Sequence, residues 1–455
     1  IAIFLAGSIL SGTSRSMVQL IVFRGLQGVG GGFIFANAFA IIGDLYAPAE
    51  RGRYAGIMSS VFGLASVIGP LIGGWITDNL TWRWVFYVNI PLGITAFVVL
   101  AMVLPASQRR GPAKPVDYLG AATLAAAIAP MLLAFSWAGT DYDWTSPHVV
   151  APLIGSALMF AAFVLVEQRA ADPIIPFSLF RNRVFAVCTA ATFVSGAGMF
   201  AGSVYIPLFM QGVLKFSATN AGLVLTPMLI SLVIASALGG QLISRTGRYK
   251  WMTVAGFSIA TGGLFLLSLM DAGSSRYWGM GSMAVLGFGL GMSFPSLSLA
   301  SQNAFPHALL GVSTSLNQFS RSVGGTIGVA IMGSLLTRRL HHELATTMPQ
   351  RVRQEAPAPL LDAVQNPRLL LDHGALEALR DRGFTAVFGA DGSPLFDATV
   401  ASMRTALATS ITDVFLVAAA VMSVAIAIVI FLPELPLRRT IDVPSAFETP
   451  PGAER

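Results

Sequence analysis

Two arginines and the amides beside them are the residues of this sequence best placed to do chemistry. Arg24 stands inside a long apolar stretch, with Gln27 and Gly28 one turn further on. A guanidinium at such a place is costly in lipid and is retained for a pathway, a relay or a partner. Asn317, Gln318 and Arg321 form a second polar group in another apolar stretch, and Asn317 and Arg321, four residues apart, share a helix face. Inside a membrane such a face turns to a cavity or to a partner helix. Asn37, Tyr205 and Phe294, with Phe35, Phe209 and Ser296, are the other polar or aromatic candidates for a cavity wall.

Other chemistries lack their residues. No nucleophile–base pair appears, so an enzyme is not expected. The histidines are scattered without zinc spacing, and neither a metal nor a cofactor is expected. Cys188 stands alone in an apolar run, which rules out an intramolecular disulfide and reads as a buried small hydrophobe. Gly28–Gly32 is glycine-rich but follows no strand, so a dinucleotide loop is excluded. Asp44, Asp78, Glu167, Asp271 and Asp413 all lie near the ends of apolar stretches. A proton-coupled carrier needs a carboxylate that is alternately protonated and exposed, and none lies mid-stretch in this sequence.

The elements that position these residues are membrane helices. Only 11% of the 455 residues are charged, 54% are hydrophobic, and the mean hydropathy is +0.70. Apolar stretches of about 20 residues, the length that crosses a bilayer core, recur from end to end. The 46 glycines and 25 prolines suit helices that pack closely and kink in lipid. Twelve crossings are expected: Ile1–Thr13, Leu20–Ile42, Tyr54–Ile76, Val85–Leu104, Tyr118–Ala138, Val149–Val166, Val184–Met210, Ala218–Ile243, Trp251–Met270, Tyr277–Leu299, Gly311–Leu336 and Ile411–Leu432. The net charge of +6 comes from basic residues in short loops, with no continuous stripe, so nucleic acid is not a partner. Arg51/Arg53, Arg109/Arg110/Lys114, Arg169/Arg181/Arg183, Arg245/Arg248/Lys250 and Arg438/Arg439 fall in alternate loops and assign those loops to the cytoplasm.

An internal repeat divides the chain. Gly28, Gly30 and Phe33 match Gly289, Gly291 and Phe294 at one offset, and Gly69 and Gly74 match Gly328 and Gly333 at a nearly equal one. This pairs Arg24 with Val285, so the glycines are shared between halves and the charge is not. The expected organisation is an N-terminal half over 1–104, two inserted helices with inner loops over 105–183, a C-terminal half over 184–432, and a cytoplasmic tail over 433–455. Within the later half, 337–409 is expected to be a solvated extracytoplasmic cap or flexible loop. The short first crossing and the repeat lead to the expectation that two helices precede Ile1 in the full protein.

Four motifs carry a resemblance to a known family. They are Leu20-x-x-x-Arg24-x-x-Gln27-Gly28-x-Gly30-Gly31-Gly32, Gly69-Pro70-x-x-Gly73-Gly74, Trp82-Arg83-Trp84 through Asn89-Ile90-Pro91-Leu92-Gly93, and Gly240-Gln241-Leu242-Ile243-Ser244-Arg245-Thr246-Gly247-Arg248. Together they resemble the fourteen-span drug:proton antiporters of the major facilitator superfamily, the EmrB/QacA-like multidrug efflux transporters. The resemblance implies an all-α membrane protein of two pseudo-symmetric bundles plus two inserted helices. It implies a proton-coupled exporter of hydrophobic or cationic drugs in the inner (plasma) membrane, whose partners are that small substrate, the proton, the lipid bilayer and, in some members, a periplasmic adaptor protein. A dedicated exporter of one metabolite or siderophore-like product is the alternative. By the same resemblance Arg24, with Gln27 and Gly28, serves proton coupling. Gly69, Pro70, Gly73 and Gly74 form the antiporter helix, and Gly240, Arg245, Gly247 and Arg248 the inner loop. Ser244 departs from the aspartate usual there, and the family's key aspartate belongs to a helix upstream of Ile1.

Overall fold

The computed structural model describes residues 1–45, 72–103, 117–138, 142–170, 173–305, 309–371 and 373–434, together with positions 61, 65, 68 and 69. Among these the protein is helical, with one isolated bridge between Ala138 and Tyr142. Among the described residues ten helices are long and apolar enough to cross a membrane, and Ala2–Thr13 is a shorter apolar helix. Most of the expected third crossing, Tyr54–Ile76, lies outside the described residues.

The principal helices are α1 (Ala2–Thr13), α2 (Met17–Leu45), α3 (Asn89–Val103), α4 (Tyr118–Trp137), α5 (Pro147–Glu167), α6 (Arg183–Gly212), α7 (Thr226–Thr246), α8 (Lys250–Ser268), α9 (Arg276–Asn303), α10 (Leu310–Thr347) and α11 (Gly392–Ile430). Their interiors bond their own backbone groups, as lipid requires. Starts are set by side-chain caps: Asp117 on α4, Ser146 on α5, Asn182 on α6 and Ser275 on α9. Gly247 ends α7 in the left-handed conformation, at φ 71°, and returns its N–H to Ile243.

Packing fixes the repeat. A Cβ on Gly30 of α2 would strike the backbone of Phe4 in α1, and a Cβ on Gly289 of α9 would strike the backbone of Ala260 in α8. Gly7 of α1 lies against the backbone of Gln27, just as Gly263 of α8 lies against that of Leu286. The pair α1–α2 is therefore built like the pair α8–α9. Gly30 with Gly289 and Gln27 with Leu286 both differ by 259 positions, the same as Gly69 with Gly328. This corrects the sequence match by two residues. Gly28 corresponds to Gly287, and Arg24 corresponds to Met283 instead of Val285. The charge remains unshared between the halves.

The Trp82–Gly93 motif clasps α1. Arg83 donates to the carbonyl of Ser14 at 3.0 Å and stacks on Trp82 at 4.6 Å. Tyr87 rests against Gly12, and Gly93 leaves room for Leu5. The hairpin α4–α5 is tied internally by Ser156, which donates to the Ala127 carbonyl at 2.6 Å. It is tied to α10 by Trp144, whose indole donates to Ser334 at 2.9 Å.

The segment expected as a solvated cap or flexible loop is a folded helical cap. Between Leu336 and Met348 the sequence has no Gly or Pro, and Leu340, Leu344 and Met348 continue a buried stripe at four-residue spacing, so α10 runs on to Thr347. Likewise α11 begins at Gly392, well before the expected Ile411. Between them Val352, Leu360, Val364, Phe384 and Phe388 are buried together, joined by Phe396 of α11. On its surface Arg351 bonds Asp391 at 2.8 Å and Glu355 at 3.2 Å, and these carboxylates hold its guanidinium above the ordinary arginine range.

Candidate functional site

The site is built from two polar groups, one in each half. In the earlier half Arg24 donates to Gln27 Oε1 at 2.7 Å, Gln27 donates to Ser8 at 3.0 Å, and Ser8 donates to the Phe86 carbonyl at 2.9 Å. Asn89 donates to the same Ser8 oxygen at 3.2 Å. The Arg24 guanidinium lies 5.6 Å from the centre of the Phe86 ring, within cation–π range. Gln27 and Ser8 are buried whereas Arg24 is exposed. The chain of bonds thus joins α1, α2 and the start of α3 and leaves the charge at its open end.

In the later half the guanidinium of Arg321 stacks 3.7 Å from the centre of the Phe294 ring and donates to Gln318 at 3.2 Å. Its Nε is buried without a hydrogen-bond partner. Asn317, one helical turn before it, donates to Ser301 at 2.8 Å and to the Ser313 carbonyl at 3.0 Å, and accepts from Thr192 at 3.4 Å. It pins α10 to α9 and α6. Close approach of α6 and α10 comes from small residues: a Cβ on Gly324 would strike the Phe193 carbonyl, and one on Gly196 the Arg321 carbonyl.

The other sequence candidates divide clearly. Tyr205 is buried and its hydroxyl donates to the Val329 carbonyl at 2.9 Å, so it serves packing within the later half. Phe209 and Ser296 are fully buried there too. Asn37 is exposed and bonds the Phe33 carbonyl one turn back. The side chain of Phe35 lies outside the described residues. Gly28 meets no atom within 4 Å of a built Cβ, and neither do Gly69, Gly73, Gly240 and Gly247. Pro70 and the Ser244 side chain lie outside the described residues. Arg245 and Arg248 are exposed around the turn at Gly247, and the next residue, Tyr249, is buried and donates to the carbonyl of Pro433 after α11.

The sequence reading missed a contact between halves. Of the antiporter-helix glycines, Gly74 is the one that touches the later half, with its built Cβ 3.4 Å from Thr219. Thr219, in the short helix Ala218–Leu223 ahead of α7, donates its hydroxyl to Asp78. Among the described residues this is the hydrogen bond between the two halves, and it lies at the ends the charge rule assigns to the outside. Ser8, Thr192 and Ser301 were also missed, because single hydroxyls in apolar helices announce no spacing of their own, and Asn89 was marked only as part of the Trp82–Gly93 motif.

Residues 1–329 match a family model described as Major Facilitator Superfamily. The chain is 41% identical over 337 residues to Multidrug transporter protein MdtP of Bacillus subtilis, an alignment that covers 74% of this chain and 62% of that protein. It is 38% identical over 438 residues to an uncharacterised MFS-type transporter of Mycobacterium tuberculosis, which covers 96% of this chain and 59% of the relative. The chain thus spans less than two thirds of the length of these relatives. Among solved structures it resembles a bacterial homologue of the human lysosomal transporter Spinster in an inward-facing, unoccupied conformation. That likeness has a TM-score of 0.55 at 16% identity and covers 96% of this chain and 83% of the other.

Proposed function

Because the chain belongs to the Major Facilitator Superfamily, and so to transporters of small molecules and not to enzymes, we propose that it exports hydrophobic drugs or toxic compounds from the cell in exchange for protons. The subfamily we assign is the fourteen-span, EmrB/QacA-like group, with α4–α5 as the inserted pair, and the membrane is the plasma membrane. The observation that carries the substrate class is the Arg321–Phe294 stack. It sets a half-buried aromatic ring against a guanidinium within the apolar helices of the later half. In this reading the pair belongs to a cavity wall that holds apolar ring systems by contact, with the guanidinium as its polar group. The name of the Bacillus subtilis relative, a multidrug transporter, supports the same reading.

The proposed mechanism is alternating access by two bundles that, among the described residues, touch at Asp78 and Gly74 against Thr219. Asp78–Thr219 and Gly74–Thr219 close the outer end, and breaking them lets one bundle rock against the other. In this proposal Arg24, held by Gln27 yet exposed, would favour the ionised form of a carboxylate brought to it and yield when that acid is protonated. Proton release tests this directly. Adding a hydrophobic transported compound to the purified protein in weakly buffered solution should acidify the medium, and Arg24→Ala should abolish the acidification. Binding without proton release in the wild type would reject proton exchange.

A further inference from the structure

Two acids outside the site described above meet at the inner ends of the α4–α5 hairpin. Asp117 caps α4, its Oδ1 accepting the N–H of Gly120 at 2.7 Å. Glu167 closes α5, is 3% exposed, and accepts the N–H of Ile175 on Oε1 at 2.5 Å. That bond folds the following chain back on the hairpin, where Ile175 and Leu179 are buried with Phe163, Phe185 and Leu316. Glu167 therefore anchors the passage from the hairpin into α6.

The second oxygen of each acid, Asp117 Oδ2 and Glu167 Oε2, is buried and has no hydrogen-bond partner. Both aim at the same small space. A Cβ on Gly120 would collide with Asp117 Oδ2 and come to 3.0 Å from Glu167 Oε2, so the glycine is what lets the two oxygens converge. Among the described residues neither acid has an ion-pair partner. Among the described residues the charged side chain that shares a cleft with Asp117 is Arg169, in a space of about 320 Å³ that Leu165 also lines. The stretch 173–176 that packs on Glu167 carries no charged side chain, and Lys114 and Asp172 lie outside the described residues.

Two ionised carboxylates that converge without a donor repel each other, and each leaves a buried acceptor unpaired. A proton relieves both costs, because a protonated carboxyl donates to the ionised one. A calcium or magnesium ion needs about six oxygen ligands or more. No third metal-binding side chain joins the two among the described residues. We propose that Asp117 and Glu167 bind one proton between them, forming a carboxyl–carboxylate pair that holds the inner ends of α4 and α5 together. Loss of that proton would set the two helix ends against each other and strain the hold of Glu167 on Ile175. The site is independent of which compound is transported.

Infrared spectroscopy of the protein in lipid bilayers, at about pH 7 and with no transported compound, tests the pair without reference to transport. A protonated-carboxyl band that shifts on hydrogen–deuterium exchange is expected in the wild type. It should be lost in Glu167→Gln, which keeps an oxygen for Ile175, and in the double variant Asp117→Asn with Glu167→Gln. Gly120→Ala retains both acids but separates them, so it should weaken the same band, which guards against loss through misfolding of the acid variants. Calcium or magnesium chloride should leave the wild-type band in place. A band that survives in the double variant, a wild type without the band, or a band erased by either cation would overturn the proposal.

Discussion

The guanidinium carbon of Arg321 stands 3.7 Å from the centre of the Phe294 ring, joining α10 to α9 within the later bundle. The arrangement uses one face of the ring to hold a positive charge in place, and under the proposed function the pair would favour compounds that bring apolar area. A desolvated stack of this kind is worth about 2 kcal/mol. Arg321→Ala, which removes that stack and also a charged hydrogen-bond donor worth about 1.5 kcal/mol to a ligand acceptor, should weaken binding of a neutral hydrophobic compound about tenfold, as measured by tryptophan-quenching titration. Arg321→Lys, which loses the planar fork, should restore only part of it. Equal affinity in all three proteins would remove Arg321 from the site.

Arg24 ends a chain of hydrogen bonds that does not need it. Gln27, Ser8 and Asn89 remain bonded to one another when the guanidinium is gone. Arg24→Ala should leave the melting profile in detergent nearly unchanged while the response of transport to a pH gradient disappears. Gln27→Leu, which installs the residue found at the equivalent Leu286, removes the buried link to Ser8 and should instead lower thermal stability, by about 1 kcal/mol. A matching loss of stability in both variants would make Arg24 a structural tie.

The helix pairs α1–α2 and α8–α9 rest on the same close approach. Gly30→Val and Gly289→Val each force a side chain into a neighbouring backbone and should each cost about 1–3 kcal/mol. Gly240, with nothing within 4 Å of a built Cβ, should accept alanine at little cost. Fluorescence-detected gel filtration after heating distinguishes these cases. If Gly240→Ala proves as damaging as Gly30→Val, close packing does not explain the repeat.

Asp78 and Thr219 meet across the halves at their outer ends. Asp78→Cys together with Thr219→Cys should form a crosslink that stops turnover and is reversed by reductant; Cys188, the one native cysteine, is buried and does not interfere. Unimpaired transport by the fully crosslinked protein would show that this contact persists throughout the cycle.

Several of these relationships were legible in the sequence and several were not. Arg24 and Arg321 stand out because a charge in an apolar helix has few innocuous explanations. Yet sequence placed Arg321 beside Asn317 on one face and could not foresee that Asn317 is consumed by Ser301 and Thr192 while Arg321 faces Phe294. The repeat was visible but slipped by two residues, since a Gly-x-Gly pattern matches itself at that shift; only the backbone neighbours of Gly30 and Gly289 fix the register. The cap was hidden because its apolar residues are spread over short turns. The stripe Leu340–Leu344–Met348 that extends α10 lies among charged residues, which lower the local hydropathy below that of a membrane span. Asp117 and Glu167, at helix ends, carry no sequence signal that they converge.

The central claim is exchange of a hydrophobic compound for protons. Its most direct test is liposomes containing the purified protein, loaded at about pH 6 and diluted to about pH 8, with a neutral hydrophobic dye outside. The account predicts that dye accumulates inside only while the gradient lasts, that a protonophore releases it, and that Arg24→Ala liposomes do not accumulate it. Accumulation that is indifferent to the gradient, or identical in Arg24→Ala, would contradict it.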